Sequence, residues 1–389
     1  MLTGLDADVA WPTDDGYILA VSLAPNDATG TLFFANLTGR CSLRIVPFPA
    51  GNVASACAGA RAVIIVRGLF EFGNLIGTLQ RLQIPTYYFV DDNFMLIREE
   101  PGIYGTLCRD YSLERVRAAL GGFSGVLLAT PALIDYFAEH QLSERLTLYP
   151  PVAGPVQDAG SDLTGRPLSI AFFGGSHRRD PFLRYVYPAV RRLAVDQDVT
   201  LVAVGIEADV VQEAARLKVV RLPYNPSYAD ALRQVAAYGV DILVHPSGLT
   251  RNNAFKNPHV LINARALAAV PVFSNVAPYD AVAAERVAVL CENSEDAWFH
   301  ALRRVAIDRR SREEMKTRLS AYCEQHFGGR VNIDVLRRIQ QAHESPSAAT
   351  RMTRLVAASA SLSLGRAHKV LARRLAAEGW GLSRPDDGS

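Results

Sequence analysis

LSIAFFGGSHRRD, residues 168–180, is the stretch on which the fold turns. A short apolar run ends in two glycines, and Ser176, His177, Arg178, Arg179 and Asp180 then lead into Pro181. Asp before Pro is an N-cap and first-turn pair, so the segment reads as strand, turn, helix. Gly174 and Gly175 let the backbone turn sharply and bring N–H groups close to a ligand. Arg178 and Arg179 add full charges beside the positive end of a helix dipole. Two readings stand on these residues alone: a cradle for a diphosphate, or a strand–helix corner that carries charge. Neither the GxGxxG fingerprint nor a GxxxxGK[ST] loop is present.

Outward from this unit the same alternation extends in both directions. Downstream come a helix over 181–195, strand 199–205, a helix, strand 218–224, helix 228–238, strand 241–247, helix 258–269, and strands 270–275 and 287–293. Upstream, strands are expected at 17–24, 43–48, 62–68, 86–92, 125–130 and 145–151. Helices are expected at NVASACAGA, FGNLIGTLQRLQ, LERVRAALGG and PALIDYFAEH; Thr130 caps the last, and Pro131 takes its first position. Repeated strand–helix units predict parallel sheets with helices on both faces. The Gly-, Pro-, Asp- and Ser-rich run 152–167 divides the chain into two such copies. The expected organisation is a polar lead-in 1–15, a first domain 16–151, a linker 152–167, a second domain 168–340 and a helical tail 341–389. Ligands of such sheets bind beyond the carboxyl ends of the strands, so the cleft between the domains is the expected site.

The bulk properties set bounds. A chain of 389 residues supports two domains, and a net charge of +2 gives no ground for a nucleic-acid partner. Five scattered cysteines, with no CxxC or Cys/His spacing, argue against a disulfide frame or zinc site and fit a reducing compartment. The N-terminal residues lack signal-peptide character, and no apolar run approaches the ~20 residues of a membrane span. A cytoplasmic location is expected. The tail segment 351–374 carries six Arg/Lys and no acid, with Leu364, Ala367, Val370, Leu371 and Leu375 at helical spacing. It is read either as a basic amphipathic helix on an anionic membrane surface or as a helix packed on the body.

Three further places carry candidate chemistry. In HPSGLTRNNAFKNPHVLINARALAAVPVF, residues 245–273, Asn257 reads as an N-cap and Pro258 as the first helical residue. Lys256 then lies just before a helix N-terminus, suited to a phosphate, and shares a polar face with His259 and Asn263. In YYFVDDNF, residues 87–94, Asp91 and Asp92 end a strand of the first domain. Neighbouring strand residues point to opposite sides and chelate a metal poorly, which favours hydrogen-bonding or acid/base work over metal binding. Arg67, at the matching end of the adjacent strand, is placed to orient one of them. Tyr224 is a candidate to stack on a planar ring.

The order of these motifs resembles nucleotide-sugar glycosyltransferases of the GT-B fold, in particular family-4-like enzymes of O-antigen and surface-polysaccharide synthesis. FFGGSHRRD matches their donor-domain opening, with His177 and Asp180 in place, and NNAFKNPHVLINARALAAVPVFSNVAPY echoes a later segment. FVDDNF and LLATPALIDYF match two steps of the first half, so the likeness spans most of 60–330. The resemblance implies an α/β architecture of two Rossmann-like domains facing a cleft. It implies a hexosyl- or deoxyhexosyltransferase, retaining and metal-independent, with no cofactor. The donor would be a nucleoside diphosphate sugar and the acceptor a glycan or a lipid-linked molecule, with the protein in the cytoplasm, peripheral at the inner membrane face. Lys256 would stabilise the leaving diphosphate, with Arg178 and Arg179 behind it, and Asp91, Asp92 and Arg67 would line the acceptor side. Gly174, Gly175, Ser176, His177, Tyr224, Asn253, Asn257 and Asn263 complete the donor set. One departure stands out. The glutamate that contacts the donor ribose in these enzymes falls at Asn263 counting from Lys256, or at Ala264 counting from Pro271. Neither is acidic, which motivates an alternative: a catalytically degenerate glycosyltransferase-like binding or scaffold subunit. A nicotinamide-dependent oxidoreductase is disfavoured, because YILAVSLAPNDATG offers no glycine-rich first turn.

Overall fold

A computed structural model describes residues 16–49, 53–100, 103–157, 165–173, 178–206, 210–347 and 349–354. Two six-stranded sheets form, and every strand pairing in both is parallel. The first holds β1 (Tyr17–Ser22), β2 (Leu43–Pro47), β3 (Ala60–Val66), β4 (Thr86–Val90), β5 (Gly125–Leu128) and β6 (Leu146–Leu148), in the order β2-β1-β3-β4-β5-β6. The second holds β7 (Leu168–Phe173), β8 (Val199–Val204), β9 (Leu217–Leu222), β10 (Ile242–His245), β11 (Val270–Ser274) and β12 (Val289–Cys291), in the order β12-β11-β10-β7-β8-β9. Central strands such as β3 and β7 are apolar nearly throughout because helices cover both faces. Each order reverses once, between β1 and β3 and between β7 and β10. Those switch points open crevices at the strands' carboxyl ends. The fold is therefore two Rossmann-like domains, as expected.

Local signals explain most elements. Thr130 accepts from Leu133 N at 3.2 Å, and Pro131 opens the helix Pro131–Glu139. The helix expected after residue 205 is replaced by turns over the described residues 210–216. The span 181–195 is a broken helix, with a π-type turn at Phe182–Val186 ahead of Tyr187–Leu193. Asp180 is not an N-cap: Arg178 precedes the first helical turn, Arg179–Pro181, and Asp180 lies inside it. The helix expected from Pro258 begins later, at Val260, because Asn257 Oδ1 accepts from His259 N in a side-chain turn that delays it.

One core joins the first sheet to the cleft side of the second domain, including Val260, Leu261 and Leu319. Another, around Phe172, Phe182 and Trp298, fills the opposite face of the second sheet. Among the described residues the chain crosses between domains twice, side by side, where Ala153 N donates to Phe327 O at 2.8 Å. The second crossing returns the helix Arg330–Ala342 to the first domain, where Val335, Leu336 and Ile339 join its core and Asn332 donates to Pro150 O at 2.8 Å.

Candidate functional site

The first-domain half of the site is built on two strand ends. Past β1, Asp27 caps the helix Ala28–Phe33 by accepting from Gly30 N at 2.7 Å, which presents Thr29 toward the cleft. Gly30 is required there, because a Cβ would sit 2.1 Å from Pro25 O. Past β3, Arg67 adopts a left-handed backbone, φ 64°, at a cost of about 1–2 kcal/mol for a side-chain-bearing residue. The strain is held in place: Arg67 N donates to Phe89 O, and Arg67 O accepts from both Tyr88 and Tyr111 hydroxyls, each at 2.8 Å.

This conformation aims the guanidinium at two carboxylates. Arg67 Nε lies 3.1 Å from Asp91 Oδ1, and Arg67 Nη2 lies 3.1 Å from Asp92 Oδ2. Thr29 donates to Asp91 Oδ2 at 2.7 Å. The expectation that neighbouring strand residues diverge does not apply, because β4 ends at Val90 and both aspartates sit in the bend beyond it.

The second domain supplies the other half. After β10 the chain forms a short 3-10 turn, Arg251–Phe255, that docks on the first domain. Thr130 Oγ1 donates to Phe255 O at 3.0 Å, Arg251 pairs with Glu99 at 2.6 Å, and Asn93 N donates to Asn252 Oδ1 at 2.9 Å. Asn252 Nδ2 reaches Asp92 Oδ1 at 3.1 Å, and Lys256 Nζ reaches the same oxygen at 3.0 Å. Burial pushes the Asp92 carboxyl up, but Lys256 and Arg67, helped by the hydrogen bonds, outweigh it and hold the group well below the usual carboxylate range. At Asp91 burial wins over Arg67, and the shift is upward.

Behind Lys256 lies a cavity of about 210 Å³ at the second switch point. Phe173, Arg178, His245, Lys256, His259 and Asn263 line it, and Asp27 and Ala28 close it from the first domain. Arg178 Nη1 donates to Ser247 Oγ at 2.7 Å. His259 is held to about 4 by burial, then by the Lys256 and Arg178 charges, so it is neutral at pH 7. Asn263 accepts the hydroxyl of Tyr228, which also lines the wall, whereas Ala264 is buried in the core. Of these two positions, Asn263 therefore faces the cavity and Ala264 does not. Tyr224 lies on the wall with 43% of its surface exposed.

Arg67, Asp91, Asp92 and Lys256 are thus brought together, with Arg178 and Asn263 around the adjoining cavity. Arg179, Asn253 and Asn257 do not reach the cavity wall. Asn253 instead bonds Gly248 O at 2.6 Å and Thr250 at 2.9 Å within its own loop. Gly174, Gly175, Ser176 and His177 lie outside the described residues, as do the lead-in 1–15 and the tail beyond Arg354. Thr29, Tyr228, His245 and Asn252 escaped the sequence reading; the capping signal at Asp27 is the one local mark that could have led to Thr29. Among the described residues no group of three or more His, Cys, Asp or Glu could hold a metal ion. No described helix is long and apolar enough to cross a membrane.

No family model matches the sequence, and no curated protein matches it. Solved structures do. Sucrose-phosphate synthase from Thermosynechococcus elongatus is similar with a TM-score of 0.58 at 12% identity, over 84% of this chain and 99% of that one. HepE from Anabaena, solved with UDP and glucose, is similar with a TM-score of 0.53 at 12% identity, over 84% of this chain and all of that one (100%). The chain has the two-domain GT-B fold that these structures share.

Proposed function

We propose that this chain is a glycosyltransferase that takes a sugar from a nucleoside diphosphate sugar. The observation that carries the reading is the cavity at the second switch point, with Lys256 and Arg178 on its wall and a first-domain Arg–Asp–Asp cluster beside it. Two cations at the carboxyl end of a parallel sheet suit a diphosphate, which must be stabilised as it departs. Solved complexes of the similar HepE contain UDP, alone and with glucose. The bond from the anomeric carbon to phosphate oxygen breaks, the bond to the acceptor oxygen forms, and the acceptor proton passes to the departing diphosphate. Lys256 and Arg178 carry the developing charge in a metal-independent reaction. Retention of configuration is the favoured outcome. Both oxygens of Asp91 are engaged by Arg67 and Thr29, and Asp92 is too acidic to serve as a strong base.

The cavity is smaller than the ~300–1,000 Å³ of common ligand pockets, so the domains part to admit the donor. The sugar is a hexose or deoxyhexose, and the acceptor a glycan or lipid-linked glycan of a bacterial-type surface polysaccharide. The tail bears on the acceptor's location. Arg354 donates to Ala60 O at 3.1 Å on the first domain, Met352 is 63% exposed, and the basic run 351–374 starts there. We place the enzyme in the cytoplasm, held at an anionic inner membrane face by that run. The occupied Asn263, where the family carries a glutamate, keeps a second reading in play: a binding subunit without turnover.

A thermal-shift panel of nucleoside diphosphates and their sugars tests the proposal. A donor at 100 times its Kd adds about 2.7 kcal/mol of stability, enough to identify the base and sugar. Release of sugar from the winning donor supports the enzyme; a shift without release supports the binding subunit. No shift with any nucleotide overturns both.

A further inference from the structure

Lys256 does two things in this structure: its side chain lines the cavity, and its ammonium rests on Asp92 Oδ1 at 3.0 Å. The other cations are differently held. Arg67 is committed to both aspartates and to Thr29, and Arg178 rests on neutral acceptors, Ser247 Oγ at 2.7 Å and Pro246 O at 3.4 Å. Asp92 does not depend on Lys256 alone, because Arg67 keeps Oδ2 at 3.1 Å and Asn252 keeps Oδ1 at 3.1 Å. The departure of Lys256 thus leaves Asp92 still held by Arg67 and Asn252, with Arg67 shared between two carboxylates. The cluster of Arg67, Arg178 and Lys256 against Asp91 and Asp92 has a net charge of about +1, less than a nucleoside diphosphate sugar requires.

We propose that Asp92 is a resident counter-anion on Lys256, which the donor's diphosphate displaces, so that donor binding frees a carboxylate oxygen for the acceptor hydroxyl. The inference rests on the reading of the cavity as a diphosphate site and adds an order to it. Before the donor arrives, Asp92 Oδ1 carries Lys256 and Asn252 and has little capacity for a third partner. With Lys256 on the diphosphate, that oxygen faces the cleft beside Arg67. Donor and acceptor then favour each other's binding, and by linkage the factor is the same in both directions.

The test compares Asp92→Asn with Asp91→Asn. Both remove one negative charge from the same cluster, but only Asp92 touches Lys256. Titration calorimetry with inorganic diphosphate and with uridine, guanosine and adenosine diphosphates gives Kd for each protein. Asp92→Asn is expected to lower Kd roughly five- to ten-fold, the scale of coupling between contacting charges. Asp91→Asn should change it by less than about two-fold, and Asp92→Asn on a Lys256→Gln background should give no tightening. Equal tightening by both single variants, or none by Asp92→Asn, overturns the inference and leaves the diphosphate site standing. Failure of every diphosphate to bind native protein overturns both. If Asp92→Asn does not fold, Asn252→Ala replaces it. That change removes the donor that shares Asp92 Oδ1 with Lys256, so Asp92 holds Lys256 harder and diphosphate should bind more weakly; unchanged or tighter Kd there overturns the inference.

Discussion

Replacing Arg67 by Gln removes one side chain from beneath two acids. In the native protein it lies 3.1 Å from each carboxylate, and the Asp91 and Asp92 side chains are only 11% and 15% exposed. Taking one partner from such a buried group costs about 3–5 kcal/mol, because the remaining charge keeps its desolvation penalty. Lys256 stays on Asp92, so the lower end, about 3 kcal/mol, is expected. The glutamine inherits the left-handed backbone, and no strain is relieved to offset the loss. At about 2–4 °C per kcal/mol the melting temperature should fall by roughly 6–12 °C at neutral pH. The pH dependence gives a second check. Asp92 has a depressed pKa when folded, so its contribution is complete above the ordinary carboxylate value, ~4, and is lost as pH falls through the depressed one. Asp91, shifted upward by burial, takes its proton first on the way down. The gap between native and variant should therefore narrow below about pH 5. Melting curves at pH 7 and in acid measure it. Equal melting at pH 7, or a gap that widens in acid, would refute the account of Arg67 as the shared counter-ion.

Lys256→Ala should lower turnover of the cognate donor by roughly 10²–10³-fold while far-UV circular dichroism stays native; unchanged turnover removes it from the mechanism. Folded His259 resists protonation down to about 4 whereas the unfolded residue takes a proton near ~6.5, so stability should fall as pH drops from ~6.5 toward 4. His259→Gln should flatten that slope in urea titrations, and an identical slope would show that other groups cause it. Gly30→Ala, whose Cβ would lie 2.1 Å from Pro25 O, should cost about 1–3 kcal/mol and loosen Thr29 from Asp91, seen as a lower urea midpoint. Deleting residues 355–389 should reduce sedimentation with anionic liposomes, and equal binding of both proteins would sink the membrane role of the tail.

Strands were the most legible part of the sequence. Parallel strands covered on both faces leave continuous apolar runs, and all twelve are found where those runs lie. Their carboxyl ends were read too long: apolar or polar, residues such as Asp91 and Asp92 leave the ladder to serve the cleft. Arg67 and the aspartates could be paired from the matching ends of adjacent strands. Asn252 could not. It and Asn253 are identical neighbours, and only the docking of the 3-10 turn decides that one bridges the domains while the other secures its own loop. Tyr228 was hidden for the same reason, since its partner Asn263 lies 35 positions away in sequence and meets it only in the folded second domain.

The return of the helix Arg330–Ala342 to the first domain also constrains how the chain is made. Arg61 donates to Gln340 O at 3.1 Å, and the Tyr87 hydroxyl meets the His343 ring at 3.0 Å, so β3 and β4 wait for contacts supplied from the far end of the polypeptide. At about 5–20 residues per second, the ribosome needs roughly 10–40 seconds to travel from the end of the first sheet to that helix. Within that interval the strands of the second sheet are made, the last at Val289–Cys291, while the first domain still shows the apolar ground that Val335, Leu336 and Ile339 will cover. The half of the protein synthesised first is thus the half finished last, and a fragment ending near residue 151 would leave that ground bare.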